Sequence, residues 1–170
     1  MSLIVSDNSP LNLLVRLGLA HALPELFDEV LIPPEVANEM RHPKAPQAVR
    51  DFLVAPPAWL RIRSPQTMLF LPQLDAGEAA AISLAVEISS PLLIDEQDGR
   101  AAALARGLEI VGAIGVLERA ANEGLIADLR QVHQTIRTLR FHVADDILDR
   151  SLARHLAHGK AGGSPPSGVP

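Results

Sequence analysis

The feature that most limits the fold of this chain is the alternation of short apolar runs with helical patterns. Such runs have the length and β-branched composition of buried strands, and they fall at Leu3–Ser6, Val30–Ile32, Leu60–Ile62, Pro91–Ile94 and Glu109–Val111. The intervening segments place apolar residues at helical spacing, most clearly over Asp75–Ile88. Strands that alternate with helices in one domain predict a parallel sheet covered on both faces. We therefore expect an α/β fold.

Composition sets further limits. The 170 residues are 48% hydrophobic and 21% charged, typical of one globular domain. We expect that domain over residues 1–158, with a helical extension over 127–158 and a disordered Gly/Pro/Ser-rich tail over 159–170. The absence of cysteine excludes disulfides, thiolate zinc sites and thiol nucleophiles, and it fits a cytoplasmic location. No apolar run is long enough to span a bilayer, so no membrane association is expected.

The charge is unevenly distributed. The net charge is −5, and residues 1–128 carry 9 Lys and Arg against 17 Asp and Glu. Residues 129–170 carry 6 basic against 3 acidic residues. A basic C-terminal part could bind a polyanion while the acidic body binds cations. A pair of solvated surface helices explains the basic part equally well.

Two aspartates follow predicted strands directly. Asp7 comes after Leu3–Ser6, and Asp95 comes after Pro91–Ile94. Ligands of open α/β sheets bind beyond the carboxyl ends of the strands, where neighbouring parallel strands bring their ends together. Glu39 and Glu78, on the following helical segments, could converge on the same place. We therefore take these four carboxylates as the candidate catalytic residues.

Each of the four also has a local explanation. Asp7 could form a side-chain turn with the backbone of Ser9. Glu39 could lie on a solvated helix face, and Asp95 could cap the next helix. Asp75 and Glu78 have the spacing of a capping box, in which Glu78 would bond the Asp75 amide. The sequence leaves these alternatives open, and Glu78 has the strongest of them.

Four converging carboxylates repel one another unless cations neutralise them. Oxygen ligands without His or Cys favour Mg²⁺ or Mn²⁺ over zinc. Such metals suit phosphodiester chemistry, because one ion can activate a water and another can stabilise the leaving oxygen. Ser9 could orient a carboxylate or a metal-bound water, or it could act as a helix N-cap ahead of Pro10.

At these residues the chain resembles the PIN-domain ribonucleases, including the VapC-type toxins, and most of all a predicted nucleic-acid-binding branch with an Asp-x-Ser-Pro start. The resemblance covers roughly residues 3–127. It rests on the order and spacing of six segments: Ile4–Leu11, Ile32–Val36, Asp75–Ile82, Leu92–Arg100, Gly107–Gly112 and Gly115–Leu117. It implies a three-layer α/β/α fold with about five parallel strands in the order 3-2-1-4-5.

The resemblance also implies an activity and a site. It places Asp7, Glu39, Glu78 and Asp95 on the family's acidic metal site, with Asp98 as a further acidic residue. Asp7, Glu78 and Asp95 are the expected Mg²⁺ or Mn²⁺ ligands, with Ser9 in support. The implied function is a metal-dependent endoribonuclease, the toxin of a type II toxin–antitoxin system. The implied partners are an RNA substrate, a cognate antitoxin and a second copy of the chain in a homodimer.

The chain departs from the family pattern at two positions. Asn8 stands where threonine or serine is common, and its side chain is expected to point away from the site. Glu78 stands where many toxins have aspartate, and its longer side chain could favour the cap over a metal.

Two other functions remain open on sequence alone. One is a catalytically weak or inactive PIN-fold module that binds nucleic acid or protein. The other is a small-molecule phosphohydrolase with an aspartyl nucleophile, which would need a second aspartate where this chain has Ser9. Few aromatic residues are available for base stacking, and all of them have a plausible place in the core. RNA recognition would then fall to basic residues near the proposed site, for which we predict Arg41, Lys44 and Arg100.

Overall fold

The structure, a computed structural model, describes residues 2–162 and confirms the α/β class. Five strands form one sheet in the order 3-2-1-4-5, and every neighbouring pair is parallel. The strands are β1 (Leu3–Ser6), β2 (Glu29–Ile32), β3 (Leu60–Ile62), β4 (Leu92–Leu93) and β5 (Ile110–Val111). Helices flank this sheet, as expected when parallel strands are joined by crossover connections.

The helices lie close to where the sequence predicts them. Their bounds are α1 (Asn8–Arg16), α2 (Leu23–Leu26), α3 (Pro34–Arg41), α4 (Gln47–Val54), α5 (Ala76–Ile88), α6 (Gln97–Leu104), α7 (Ala113–Asn122), α8 (Leu129–Thr138) and α9 (Asp145–Ala161), with a 3₁₀ turn at Ala20–Ala22. The start of α1 differs from the expected Ser9 cap, because Asp7 is the extended N-cap residue and Pro10 lies inside the first turn. Proline is tolerated there, since first-turn amides have no partner within the helix.

The described residues form two compact units, one ending at Ala113 and the other beginning at Ile114. The N-terminal unit contains the whole sheet and a core of fully buried side chains that includes Val5, Ile82 and Leu92. In the C-terminal unit α8 packs against α9, with Ile136 and Leu148 fully buried. Helix α9 continues to Ala161, three residues into the expected tail; residues 163–170 of that tail lie outside the described part of the chain.

The register of the central strands positions the candidate site. Ser6 in β1 is the partner of Leu93 in β4, and the Asp7 amide donates a 2.9 Å hydrogen bond to the Leu93 carbonyl. The next residue, Ile94, donates to the Val111 carbonyl of β5 at 2.9 Å. Asp7 and Asp95 therefore leave neighbouring strands at the same edge of the sheet. None of the helices within residues 2–162 is long and apolar enough to cross a membrane.

Candidate active site

Asp7 is the most deeply buried carboxylate of the predicted site. Its residue is 2% exposed, and its side chain makes no capping bond to α1. Burial raises the pKa of Asp7 to about 8; the Asn8 amide opposes this rise, and the acidic Glu78, Asp75 and Glu39 add to it. A carboxyl group with this pKa holds its proton at neutral pH unless a cation lies beside it.

Glu39 reaches the start of α5 from helix α3. Its Oε1 accepts a 3.1 Å hydrogen bond from the Gly77 amide, and the Asn8 side chain also bonds it. Burial and the charge of Asp75 raise the pKa of Glu39, while these two hydrogen bonds lower it. The sequence predicted that the Asn8 side chain points away from the site. This prediction is wrong, because the Asn8 side-chain amide bonds the Glu39 carboxylate.

Glu78 forms the cap that the sequence predicted as the alternative to a role in the site, and it is also buried near other acids. Its amide donates to Asp75 Oδ1 at 2.8 Å, and its Oε2 accepts from the Asp75 amide at 3.2 Å, which completes the capping box. The residue is nonetheless only 7% exposed. Burial raises the pKa of Glu78; the Asp75 amide lowers it, and the acidic Asp75, Glu96 and Glu39 raise it. The cap therefore holds Glu78 within reach of the other acids.

Asp95 has different neighbours from those three carboxylates. Its Oδ1 accepts a 2.9 Å hydrogen bond from the Ala113 amide at the start of α7. Although the residue as a whole is exposed, desolvation of its carboxylate raises the pKa of Asp95; this bond and Arg100 lower it, and Glu96 raises it. Arg100 is fixed by its own 2.9 Å bond from Nη1 to the Ile94 carbonyl. Asp95 thus has an arginine near it, whereas the charged groups acting on Asp7 are all acidic.

A polar cavity of about 340 Å³ is lined by Glu78, whereas Asp7, Glu39 and Asp95 are not among its lining residues. The sequence predicts three of the residues that line it: Ser9, Glu78 and Asp98. The other four are Gln73, Asp75, Glu96 and Gln97. Four acidic residues therefore face one cavity, which makes it unsuited to anions and suited to cations.

The three basic residues predicted to bind nucleic acid are dispersed. Arg41 and Lys44 are exposed at and just beyond the C-terminal end of α3. The Lys44 backbone amide bonds His42 Nδ1 at 3.1 Å, which fixes the turn but not the lysine side chain. Arg100 differs from both, because it is half-buried against Ile94 and acts on Asp95.

Three glycines leave room for three of the carboxylates. A Cβ atom at Gly77 would lie 2.8 Å from Glu39 Cδ, and one at Gly112 would lie 2.9 Å from Asp95 Oδ1. At Gly99 it would lie 3.0 Å from Glu78 Oε1 and 2.6 Å from a methyl group of Ile94. Any larger residue would displace a carboxylate or the backbone. The backbone at these glycines therefore packs closely against the three carboxylates.

The donor set fits a hard divalent cation in its chemistry. Glu39 and Glu78 lie close enough to Asp7 to raise its pKa, Glu39 also raises the pKa of Glu78, and oxygen ligands of this kind favour Mg²⁺ or Mn²⁺. Within residues 2–162, no three His, Asp or Glu side chains already stand in a metal-holding arrangement. Metal binding would therefore require these side chains to draw together.

Sequence reasoning missed several residues that face this site. Asp75 acts on Asp7, Glu39 and Glu78, although its pattern indicated only a cap. Glu96 acts on Glu78 and Asp95, and its position directly after a strand-end aspartate was a usable signal. The three glycines carried no signal in the sequence, because their close approaches involve residues distant along the chain.

A family model described as a PIN domain matches residues 3–156. The chain therefore belongs to the PIN-domain family, whose fold is nuclease-like. The match continues well beyond residue 127, where the resemblance was expected to end, so α8 and most of α9 belong to the matched region. A search of curated proteins found no match.

Proposed function

We propose that this PIN-domain protein is a metal-dependent endoribonuclease that hydrolyses RNA phosphodiester bonds. The observation that carries the proposal is the burial of Asp7 near Glu39 and Glu78: burial raises the pKa of Asp7 to about 8, and these acidic neighbours add to the rise. Burying like charges costs stability, and a sequence selected for stability alone would not retain them. Of these three residues, Glu78 lines a polar cavity, together with Ser9 and Asp75, in which a substrate could bind.

Asp7, Glu39 and Glu78 would hold the Mg²⁺ or Mn²⁺, and Asp95 would contribute through Oδ2, because Oδ1 bonds the Ala113 amide. The bound cation would supply a Lewis acid that polarises the phosphodiester and lowers the pKa of a water molecule. The chain itself orients these groups: the Gly77 amide and Asn8 direct Glu39, and the capping box directs Glu78. Asp7 exchanges a proton near neutral pH at its carboxylate.

The substitution Asp7→Asn tests the proposal. A mixed RNA pool is incubated with wild type and variant in Mn²⁺, with an EDTA control. We expect wild-type cleavage that EDTA abolishes and a loss of ~100-fold or more in the variant, in the range seen when one central electrostatic group is removed. Asp149→Asn, an exposed aspartate of α9, is the matched control and should retain full activity. Cleavage no higher than the EDTA control, or equal cleavage by Asp7→Asn, would contradict the proposal.

We further propose that the protein is the toxin of a type II toxin–antitoxin system in the cytoplasm, acting as a homodimer and inhibited by a protein antitoxin. Family membership supports this role. Induced expression in a bacterial host should arrest growth, whereas Asp7→Asn should permit it. Normal growth with wild-type protein at a level confirmed by immunoblot would count against the toxin role.

A catalytically inactive nucleic-acid or protein-binding module is the second candidate. The contacts of Asp95 favour it, because Ala113 and Arg100 already bind or neutralise a carboxylate on which metal binding would depend. RNA binding that weakens with salt, persists in EDTA and survives Asp95→Asn would support this module over the enzyme.

A further inference from the structure

Phe70 is exposed to solvent although the residues on either side of it are packed against the core. It is 88% exposed, and Met68 beside it is 50% exposed. The intervening Leu69 packs against the core, its amide donates a 3.0 Å bond to Ser83 Oγ, and Leu71 is buried. Neighbouring residues therefore alternate between the core and solvent, as in an extended chain. The expectation that every aromatic residue lies in the core is wrong for Phe70.

Because the Phe70 ring is exposed, the chain forgoes the stabilisation that burial of one of its few aromatic residues would give. The sequence contains four phenylalanines, one tryptophan and no tyrosine. Full burial of a phenylalanine stabilises a protein by roughly 1.5–3 kcal/mol, and that gain is forgone at this position. An exposed aromatic beside an exposed methionine is a typical contact surface for a planar apolar partner.

The chain segment that contains Phe70 carries no negative charge of its own, which is compatible with a polyanion as that partner. Residues 60–74 contain two basic residues, Arg61 and Arg63, and no acidic residue. Arg61 pairs with Glu29 at 2.9 Å and Arg63 with Glu87 at 3.7 Å, but both arginine side chains are largely exposed. Ion pairs of this kind contribute little stability, so phosphates can compete for these arginines. The segment is thus a basic stretch in an acidic unit.

The same segment leads directly to the acidic cavity. Gln73, three residues after Phe70, lines that cavity with Asp75 and Glu78. Three residues span at most about 11 Å, which limits the distance between Phe70 and Gln73 Cα atoms. Because the cavity itself repels phosphates, a nucleic-acid strand needs a favourable contact just outside it. Phe70 supplies a base-stacking face at that place.

We propose that Phe70, supported by Met68, is a stacking platform for an unpaired base of single-stranded RNA bound beside the acidic cavity. This inference rests on the proposed function, which sets the direction in which the RNA strand binds. Aromatic stacking is tolerant of base identity, so the platform gives affinity and register for single strands with little sequence preference. Duplex RNA, whose bases are already stacked, would not use it.

The test measures binding of a short, fluorescently labelled single-stranded RNA by anisotropy, with Ca²⁺ in place of Mn²⁺ to limit cleavage. We expect Phe70→Ala to weaken binding ~10-fold, and Phe70→Trp to bind about as tightly as wild type, because stacking requires the aromatic face. Phe70→Leu should resemble Phe70→Ala. The matched control is Val54→Ala, since Val54 is an 82% exposed apolar residue of the same unit.

A second arm replaces single nucleotides of the RNA by abasic residues. One abasic position should weaken wild-type binding as much as Phe70→Ala does, and it should have little further effect on that variant. Equal affinity of Phe70→Ala and Val54→Ala would overturn the inference, as would a wild type that does not bind RNA. A change from dimer to monomer in Phe70→Ala, measured by light scattering with RNA affinity unchanged, would instead assign the surface to a second copy.

If the proposed function is wrong, the measurements give a different result from the one that refutes the platform. Wild type that binds RNA through Phe70 but cleaves neither RNA nor a minimal phosphodiester, bis(p-nitrophenyl) phosphate, with Mn²⁺ would refute the enzyme and leave the platform standing. If the enzyme is correct, Phe70→Ala should cleave the minimal phosphodiester at the wild-type rate, because that substrate is too small to need the platform.

Discussion

Three acidic residues of the candidate site and the acidic residues of the C-terminal unit have opposite surroundings. In the N-terminal unit, Asp7, Glu39 and Glu78 are wholly or partly buried, and the charged groups acting on them are also acidic. In the C-terminal unit, acidic side chains pair with arginines at short distances: Glu118 with Arg154 at 2.8 Å and Asp149 with Arg137 at 2.7 Å.

The difference in neighbouring charges separates acidic residues that stabilise the fold from acidic residues that destabilise it. A surface pair is weakly stabilising, because each charge stays solvated and has a partner. A buried carboxylate among other carboxylates is destabilising unless a proton or a cation neutralises it. The comparison therefore predicts that neutralising an acid changes stability in opposite directions in the two units.

Asp7→Asn should give the largest change in stability, and it should be stabilising in metal-free protein. Folded Asp7 keeps its proton up to about pH 8, whereas the unfolded chain releases it near 3.8. The folded state thus binds more protons across this window, so its stability falls as pH rises through it. The variant lacks this loss and should gain on the order of 2–4 kcal/mol at pH 8. Urea unfolding at pH 4.5 and 8 measures it, and a gain independent of pH would contradict the assignment.

Gly77→Ala should destabilise the protein and displace Glu39, because the added methyl group overlaps the Glu39 carboxylate. Overpacking of this kind costs about 1–3 kcal/mol, and RNA cleavage with Mn²⁺ should fall together with stability. The matched control is Gly159→Ala, since no heavy atom lies within 4 Å of a Cβ at that position of α9. That control should be slightly stabilised, as alanine is the better helix former.

A rescue experiment separates positioning from simple strain. Glu39→Asp shortens the side chain by one methylene, which makes room for the added methyl group. In the Gly77→Ala background it should recover part of the lost stability and cleavage, although Glu39→Asp alone lowers cleavage. Additive losses in the double variant would show that Gly77 does not act through Glu39.

His133 gives a smaller, pH-dependent effect in the C-terminal unit. The residue is 1% exposed, and neither ring nitrogen has a hydrogen-bond partner among the described residues. Burial lowers the pKa of His133; Arg137 and His155 lower it further, and Glu118 and Asp149 oppose this. As pH falls, His133 is therefore protonated in the unfolded chain at a higher pH than in the folded protein. The free energy of unfolding falls as pH drops below about 6.5.

His133→Leu should remove this acid sensitivity and stabilise the protein by about 1 kcal/mol at pH 5.5, since an apolar side chain leaves no unsatisfied polar atom. Melting temperatures at pH 7.5 and 5.5 measure the effect. An unchanged difference between the two pH values would show that another group is responsible.

Glu118→Gln should give the smallest effect and the opposite sign to Asp7→Asn. Arg154 contacts both carboxylate oxygens of Glu118, at 3.0 and 2.8 Å. The expected loss is about 1 kcal/mol or less, because the arginine side chain is largely exposed. Denaturant midpoints at low and high salt check it: the loss should shrink in salt. A stabilising effect would break the contrast between the units.

The sequence predicted the scaffold well because local signals and the sheet rule agree. Leu3–Ser6 has the composition of a buried strand, and Asp7 directly after it lies at the strand end as expected. The capping box at the start of α5 was also readable, since it depends on Asp75 and Glu78, three residues apart. Strand order came from the family resemblance rather than from any local pattern.

The contacts within the site were less predictable, because they join residues far apart in the sequence. Nothing local indicates that Asn8 bonds Glu39, that Gly77 lies against Glu39, or that Asp95 accepts from Ala113. A capping pattern likewise gives no sign that Asp75 also acts on Asp7. Such details depend on how helices cross the sheet, which side-chain periodicity does not specify.

Central to the proposed function is that Asp7 is protonated in the metal-free protein and exchanges that proton for a cation. Isothermal titration of Mn²⁺ into the protein at pH 7, in two buffers of different ionisation enthalpy, measures binding and proton release together. We predict roughly one proton released per bound ion in wild type, with weaker binding and little release in Asp7→Asn. Wild type that binds no Mn²⁺, or an Asp7→Asn variant with unchanged affinity and proton release, would contradict the account.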